Sequence, residues 1–471
     1  MTDESFGFET IGELAKAFSS GRLSPVDYAT RLLDRIEALN PALAAFTCLT
    51  RPRALAEAEA AEAAIARGEA GPLAGVPYAA KDIFDVAGEA TMAGSRLLAD
   101  NVAAADCTVV RKLTEAGMVL LGKTHTAQFA STVVGINHDQ GTPHNPWARR
   151  PHVPGGSSSG SAVAVAAGLV PLALASDTGG SVRAPASLCG TVGLKTTVGR
   201  ISRAGVFPLS ATYDSLGPLT RSVADAGLVA LVLAGPDPGD PATADAPSFD
   251  GLDKLKDGIA GLHLICPQGE VIGDLDPEVA AAVDAAAGVL RGLGATVSET
   301  PVPELDELMA MPDRFAVLNG EAYDADRRFL EDHAADIDPV VLWIAKGKDI
   351  DESQRQAVRE KLAALQRRFL GRLQDVDALL LPTTPIPARP VDEVDADHGS
   401  FAGRYARFTH LGNLLGLTAV SRPCGFTGSG LPIGLMITAK PFREDLALRI
   451  AQAYERATDW HRRHPDLSWI G

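Results

Sequence analysis

The sequence predicts an α/β fold, and three observations carry that expectation. Between Leu73 and about Asp225, short apolar runs such as "VVRKLTEAGMVLLG" and "SAVAVAAGLVPLALAS" are separated by Gly/Ser/Thr loops, the texture of strands alternating with buried helices. The alternation resumes in "LHLICPQGEVIGDLDPEVAAAVDAAAGVLRGLGATVSETPV", which reads strand, loop, amphipathic helix, strand. Near the C-terminus, "VDALLLPTTPIP" reads as a buried strand ending in a proline loop, and "LTAVSRPCGFTGSGLPIGLMITA" as two strands around a glycine turn. The 471 residues are 46% apolar and 22% charged, ordinary for a globular enzyme with a sizeable core.

Helices dominate residues 1–70. Ser24 is placed to cap, Pro25 suits the first helical position, Asp27 completes a capping box, and Tyr28, Leu32, Leu33, Ile36 and Leu39 share one face. The stretch Ala54 to Ala70 has the composition of a solvated helix, ended by Gly71 and Pro72. After the α/β segment, "GPDPGDPATADAPSFDG" from Gly235 marks an excursion. Residues from about 303 to 373 read as a polar helical excursion. With no internal repeat or low-complexity linker, residues 1–471 are expected to form a single domain.

Bulk charge limits the partners. A net charge of −16 and a pI near 5.1 oppose a polyphosphate, and no Lys/Arg cluster offsets them locally, so the expectation is no nucleic acid partner. The five cysteines lack metal-ligand spacing and read as reduced buried thiols, and neither a metal nor a cofactor is expected. The opening "MTDESFGFET" is acidic where a secretory signal would be basic. The apolar stretch Ala162 to Ala175 is too short to span a bilayer, which takes about 20 residues. A cytoplasmic protein with no membrane contact is expected, and a homodimer is left open.

The segment "PGGSSSGSAVAVAAGLVPLALASDTGGSVRAPASLCG" concentrates unusual residues, and three readings compete for it. A phosphate cradle would need GxxxxGK or a GxGxxG after a strand, and neither is present. Gly156, Ser158 and Gly160 spell GxSxG, but a nucleophile elbow must follow a buried strand, and "ARRPHVPGG" is no such strand. The downstream histidines His410, His461 and His464 also sit in no loop built for catalysis. In the third reading, Gly160 to Leu169 rises about 15 Å as a helix and Leu172 to Ser176 returns about 16 Å as a strand. That brings Ser157 close to Ser181. A plain flexible Gly/Ser connection remains the bland alternative.

No histidine stands near Ser181, so another base is needed. Lys81 follows the apolar run Val76 to Ala80, where a charged group is out of place. It serves as a base only if neutral, and lowering its ordinary pKa by about three units takes roughly 4 kcal/mol of differential solvation. Against this, buried lysines are usually paired to a carboxylate, and Asp82 is adjacent.

Together "GVPYAAKD", "PGGSSSGS" and "SDTGGSVRAPASLCGTVGLK" strongly resemble the amidase signature family. The likeness extends through "AGMVLLGKTHTAQFA", "GTPHNPW", "GRISRAGVFPLSATYDSLGPLTRSVADA", "DALLLPTTPIPA" and "GLPIGLMI". It implies an α/β/α layered fold with a central mixed, mostly parallel sheet. It also implies a Ser, cis-Ser, Lys triad with Ser181 as nucleophile, Ser157 as relay after a cis peptide from Gly156, and Lys81 as general base. The amides of Thr178, Gly179, Gly180 and Ser181 match an oxyanion hole, and Ser158, Asp177 and Arg183 match supporting positions, Arg183 pairing with a core carboxylate. The implied reaction is hydrolysis of a carboxamide, aryl amide or carbamate C–N bond in a small molecule. Two rival roles are the glutaminase subunit of a tRNA-dependent amidotransferase and a non-catalytic scaffold. Those glutaminase subunits commonly read "GKTNMDEFAMG" where this chain has "GKTHTAQFAST", which weighs against the first. The family's "GKTN" is "GKTH" here and its "LKPT" is "LKTT", so His125 and Thr196 bear on specificity. By the same resemblance, His125, Phe129, Ala130 and Ser131 and residues 303–373 fall near the substrate.

Overall fold

Among the described residues eleven strands make one sheet: β1 (Phe46–Leu49), β2 (Pro77–Lys81), β3 (Val119–Thr124), β4 (Leu172–Asp177), β5 (Val192–Lys195), β6 (Ser215–Thr220), β7 (His263–Gln268), β8 (Thr296–Pro301), β9 (Ala378–Pro382), β10 (Thr418–Phe426) and β11 (Pro432–Ala439). Their spatial order is β1-β3-β2-β4-β6-β5-β10-β11-β9-β7-β8. The computed structural model describes residues 6–470, so Met1 to Ser5 of the acidic opening stretch and Gly471 lie outside the described residues.

The sheet is mixed, as expected, but parallel pairing does not prevail. Among the described residues β2 pairs parallel with β3 and β4, and β7 with β8 and β9, while the other six pairings are antiparallel. The reason lies in the connections. Parallel neighbours require a crossover, supplied here by helices such as Thr108–Glu115 and Pro277–Gly292. β10 and β11 are instead joined by the tight turn at 427–431, and β5 and β6 by a loop with no helix.

Alternation along the strands loads both faces of the sheet. In β9, Leu380 packs with Val283, Leu290, Leu448 and Ile450 from helices Pro277–Gly292 and Glu444–Arg456. Leu379 and Leu381 face the other way, toward Leu305, Leu318, Leu362 and Phe369. Those four residues come from helices Pro303–Ala310, Ala316–Asp332 and Glu352–Arg372 within the stretch read as helical. Helices therefore layer both sides of the sheet.

The first long helix is Pro25–Leu43, with Ser24 accepting from the Asp27 amide; only this half of the expected capping box forms. The next runs Arg51–Arg67 and stops at Gly68, whose φ of +71° ends it three residues before Gly71. Its Ala54, Ala58 and Ala61 are buried, so one face packs inward. Cys107, Cys189 and Cys424 are buried thiols, while Cys48 and Cys266 are partly exposed. No helix among the described residues is long and apolar enough to cross a membrane.

Candidate active site

β2 and β4 lie side by side in the sheet and run parallel, so their C-terminal ends emerge together on the same side of it, at the ends of the strands. Lys81 is the last residue of β2, and its Nζ sits 2.8 Å from Ser157 Oγ and 2.9 Å from Ser176 Oγ. The next residue, Asp82, forms its ion pair with Lys123 at 2.6 Å. The carboxylate that would have locked Lys81 as a cation is thus taken by another lysine. Burial pulls Lys81 down to about 7, against the pull of the Asp214 and Asp177 charges in the opposite direction.

Ser157 stands in the loop before helix Ser159–Ala166, and the chain returns through β4. The peptide between Gly156 and Ser157 is cis. The two serine loops then touch: the Ser158 amide donates to the Ser181 carbonyl at 3.4 Å, and Ser158 Oγ to the Ser176 carbonyl at 3.3 Å. Among the described residues, no hydrogen bond joins the Ser157 and Ser181 hydroxyls directly.

Beyond β4 the loop is pinned by one carboxylate. Asp177 accepts from Arg183 Nε at 2.9 Å and Nη2 at 2.8 Å, and from Asn413 Nδ2 at 2.9 Å. Burial pushes the Asp177 carboxyl up, but the Arg183 guanidinium beside it overrides this and holds it well below the ordinary carboxylate range. Asp177 also accepts from the Gly180 amide at 2.9 Å. That bond corrects one expectation: the Gly180 N–H faces the carboxylate, leaving the amides of Thr178, Gly179 and Ser181 as the available donors of the loop. Gly180 has φ +134°, and a Cβ there would lie 2.2 Å from Thr409 Oγ1. A Cβ on Gly179 would meet the His410 ring at 2.7 Å. Close approach therefore requires both glycines, and at Gly180 the backbone conformation requires it as well.

Thr178 Oγ1 donates to Asp214 at 2.5 Å, and the other Asp214 oxygen accepts from the Leu209 and Ser210 amides. Asp214 is buried, which raises its carboxyl above the ordinary value. Glu321, from helix Ala316–Asp332, accepts from Ser210 Oγ and Thr212 Oγ1, so the loop that holds Thr178 is itself tied to the helical excursion.

Ser181 opens onto a cavity of about 600 Å³ walled by Phe315, Leu318, Val340 and Trp343 among others. A second cavity of about 210 Å³ reaches Ser176, Thr178 and Asp214. Of the four expected substrate-side residues, Ala130 lines both cavities and Ser131 the larger one. Phe129 is buried in a stack with Phe207 and Phe329, and His125 lines neither cavity. Burial takes the His125 imidazole down to about 4, and its backbone is bonded to Ala45 and Gly160. Thr196, the other departure, bonds the Leu216 carbonyl inside the sheet at 2.7 Å.

Five residues at this corner have roles that the sequence did not announce: Ser176, Asp214, Thr409, His410 and Asn413. Ser176 and Asp214 lie within stretches already conspicuous in the sequence. Thr409, His410 and Asn413 lie in "RFTHLGNLLGL", where nothing local marks them, because their role depends on a contact with a loop more than 200 residues away.

The family model for amidases matches residues 27–448. One component of the glutamyl-tRNA(Gln) amidotransferase of Geobacter metallireducens is 38% identical over 480 residues, covering 96% of this chain and 98% of the relative. A 6-aminohexanoate cyclic dimer hydrolase solved with its substrate superposes with a TM-score of 0.90 at 29% identity, covering 98% of this chain and 99% of that one. The peptide amidase of Stenotrophomonas maltophilia gives a TM-score of 0.84 at 30% identity, covering 98% of both chains. These relatives overturn the expectation of an enzyme with a small-molecule substrate alone and no nucleic acid. The Geobacter protein is by name one component of an enzyme acting on a charged tRNA. The charge argument missed this because one component's net charge governs only the RNA contacts that it makes itself.

Proposed function

The chain belongs to the amidase family, and from that premise we propose that it breaks an amide C–N bond through an acyl-enzyme on Ser181. The observation that carries this is the buried Lys81 amine, 2.8 Å from Ser157 Oγ with no carboxylate partner among the described residues and a pKa drawn to about 7. A neutral amine there accepts the Ser157 proton while Ser157 accepts that of Ser181, once substrate draws the two hydroxyls together. Ser181 Oγ bonds the carbonyl carbon, and the developing oxyanion receives the Thr178, Gly179 and Ser181 amides. The proton returns through the same relay to the nitrogen as the C–N bond breaks. Water then takes the amine's place and releases the acid. Ser158, Asp177 and Arg183 position the loops.

Two settings are open to this chemistry. The curated relatives support a role as the glutaminase component of an amidotransferase, in which the chain would release ammonia from glutamine for partner proteins that act on a tRNA. The cavity supports an amidase for acyl groups that carry no ammonium, since its walls offer an α-ammonium no carboxylate. A fluorophosphonate probe tests the shared chemistry: Ser181 should be labelled in wild type, and labelling should fall away in Lys81→Ala. Undiminished turnover in Lys81→Ala would overturn the mechanism. Glutamine hydrolysis, with and without the amidotransferase partners, separates the settings.

A further inference from the structure

The cavity in front of Ser181 is lined by basic residue types and by no acidic one. Lys346, His398 and His410 line it, and none of its lining residues is Asp or Glu. In a chain of net charge −16 that is a local inversion. A guanidinium stands close by, while burial takes the His410 imidazole itself down to about 4. Arg314 lies over the Phe315 ring, 4.7 Å from its centroid, and Phe315 packs edge-on against His410. The Arg314 guanidinium donates to the Met311 carbonyl, its Nε is buried without an acceptor, and among the described residues it forms no ion pair. The other buried guanidinium beside His410, Arg183, is saturated by Asp177 and Asn413. Lys346 is exposed and likewise has no carboxylate within ion-pair distance among the described residues.

A buried guanidinium nitrogen without an acceptor carries a desolvation cost that an anion would offset. Here the protein supplies none. We infer that the substrate supplies it: the cavity takes an acyl group ending in a carboxylate and carrying no ammonium, an ω-amido monocarboxylate or its N-substituted form. The amide carbonyl sits at Ser181, the methylenes lie along Phe315, Leu318 and Trp343, and the carboxylate meets Arg314 or Lys346. An α-ammonium, as in glutamine, would enter an apolar wall with no acceptor of opposite charge. The inference rests on the amide-hydrolysis reading above and names the substrate class for it.

The test compares matched substrates on the purified full-length chain. N-succinyl, N-butyryl and N-(4-aminobutyryl) p-nitroanilides differ at one end of the acyl group only, and glutaramate differs from glutamine by the ammonium. The expected result is a kcat/KM about tenfold higher for succinyl than for butyryl, the size of one charge-assisted hydrogen bond at a partly wet site. The aminobutyryl compound should be the poorest of the three, and glutaramate should release ammonia faster than glutamine. Arg314→Gln combined with Lys346→Gln should bring the succinyl to butyryl ratio toward one. A ratio at or below one in wild type, a ratio that both substitutions leave intact, or a preference for glutamine over glutaramate would overturn the inference. If none of these compounds turns over, protection of Ser181 from the fluorophosphonate is read instead. Slowing by glutarate but not by glutaramide supports the inference, and labelling that neither slows overturns it while the hydrolytic reading stands. Folded protein that is never labelled overturns both.

Discussion

The corner beyond β2 and β4 and the wall that faces it across Ser181 hold their residues in different ways. In the corner, the side chains of Lys81, Asp177 and Arg183 are fully buried and bonded to other protein groups. In the wall, Phe315, Trp343, Lys346 and His398 are partly or fully exposed, and most contacts are apolar. The corner is a polar network in a low-dielectric interior, where an unpaired group is costly and every change propagates. The wall relies on area and shape, which tolerate exchange. The difference separates chemistry from selection: substitutions in the corner should change rates with all substrates, and those in the wall should change which substrate is preferred.

The largest effects should come from the corner. Ser181→Ala should lower kcat/KM by roughly 10⁴-fold or more with every amide tested, and Ser157→Ala by about 10²- to 10⁴-fold. In wild type, kcat/KM should rise with pH through about 7 and level off above it, because only the neutral Lys81 accepts a proton. A flat profile from pH 5 to 9 would break the comparison at its centre. The same shift has a stability signature of known sign. Lys81 titrates at about 7 when folded and near 10.5 when unfolded, so the unfolded chain binds the extra proton between those values. The destabilisation is fully present below pH 7 and fades as pH rises toward 10.5. Lys81→Met should therefore be inactive yet more stable than wild type by about 2–4 kcal/mol at neutral pH in urea unfolding.

Arg183→Met would leave Asp177 buried without its main cation and should destabilise the protein by about 3–5 kcal/mol. Retained stability with lost activity would mean that Arg183 acts on the loop alone. Asp214→Asn comes next. An amide cannot accept from Thr178 and from both the Leu209 and Ser210 amides as the carboxylate does. A fall in kcat of about tenfold is expected, roughly one charged hydrogen bond. With the Asp214 charge gone, the acid limb of the pH profile should also move to lower pH, because that charge raises Lys81.

Much of this division is written in the sequence and some of it is not. The serine loops and Lys81 are local signals: apolar runs, glycines and a lysine out of place, each readable within a single short stretch. The helix and returning strand between Ser157 and Ser181 follow from chain length and geometry. What escaped is long-range. Nothing near Asp82 announces that Lys123 claims it, and nothing near Asn413 or Thr409 announces Asp177 or Gly179. The sheet's antiparallel majority escaped too, because buried strands look alike whichever way their neighbours run. His125 stood out as a departure, yet the fold buries it behind the site.

The smallest expected effect tests where the two regions join. Trp343 belongs to the wall, but its Nε1 donates to the Ser131 carbonyl at 2.7 Å. Two residues on, Val133 accepts from the Gly156 amide, next to the cis peptide and Ser157. If the wall only selects, Trp343→Ala should raise KM several-fold for long acyl groups, leave kcat nearly unchanged, and have no effect on acetamide. Trp343→Phe, which keeps most of the ring but drops the hydrogen bond, should then resemble wild type. If instead Trp343→Phe lowers kcat equally for acetamide and for long amides, the indole is holding the Ser131–Val133 segment in register with the relay. The boundary between chemistry and selection would then run through Trp343 instead of in front of it.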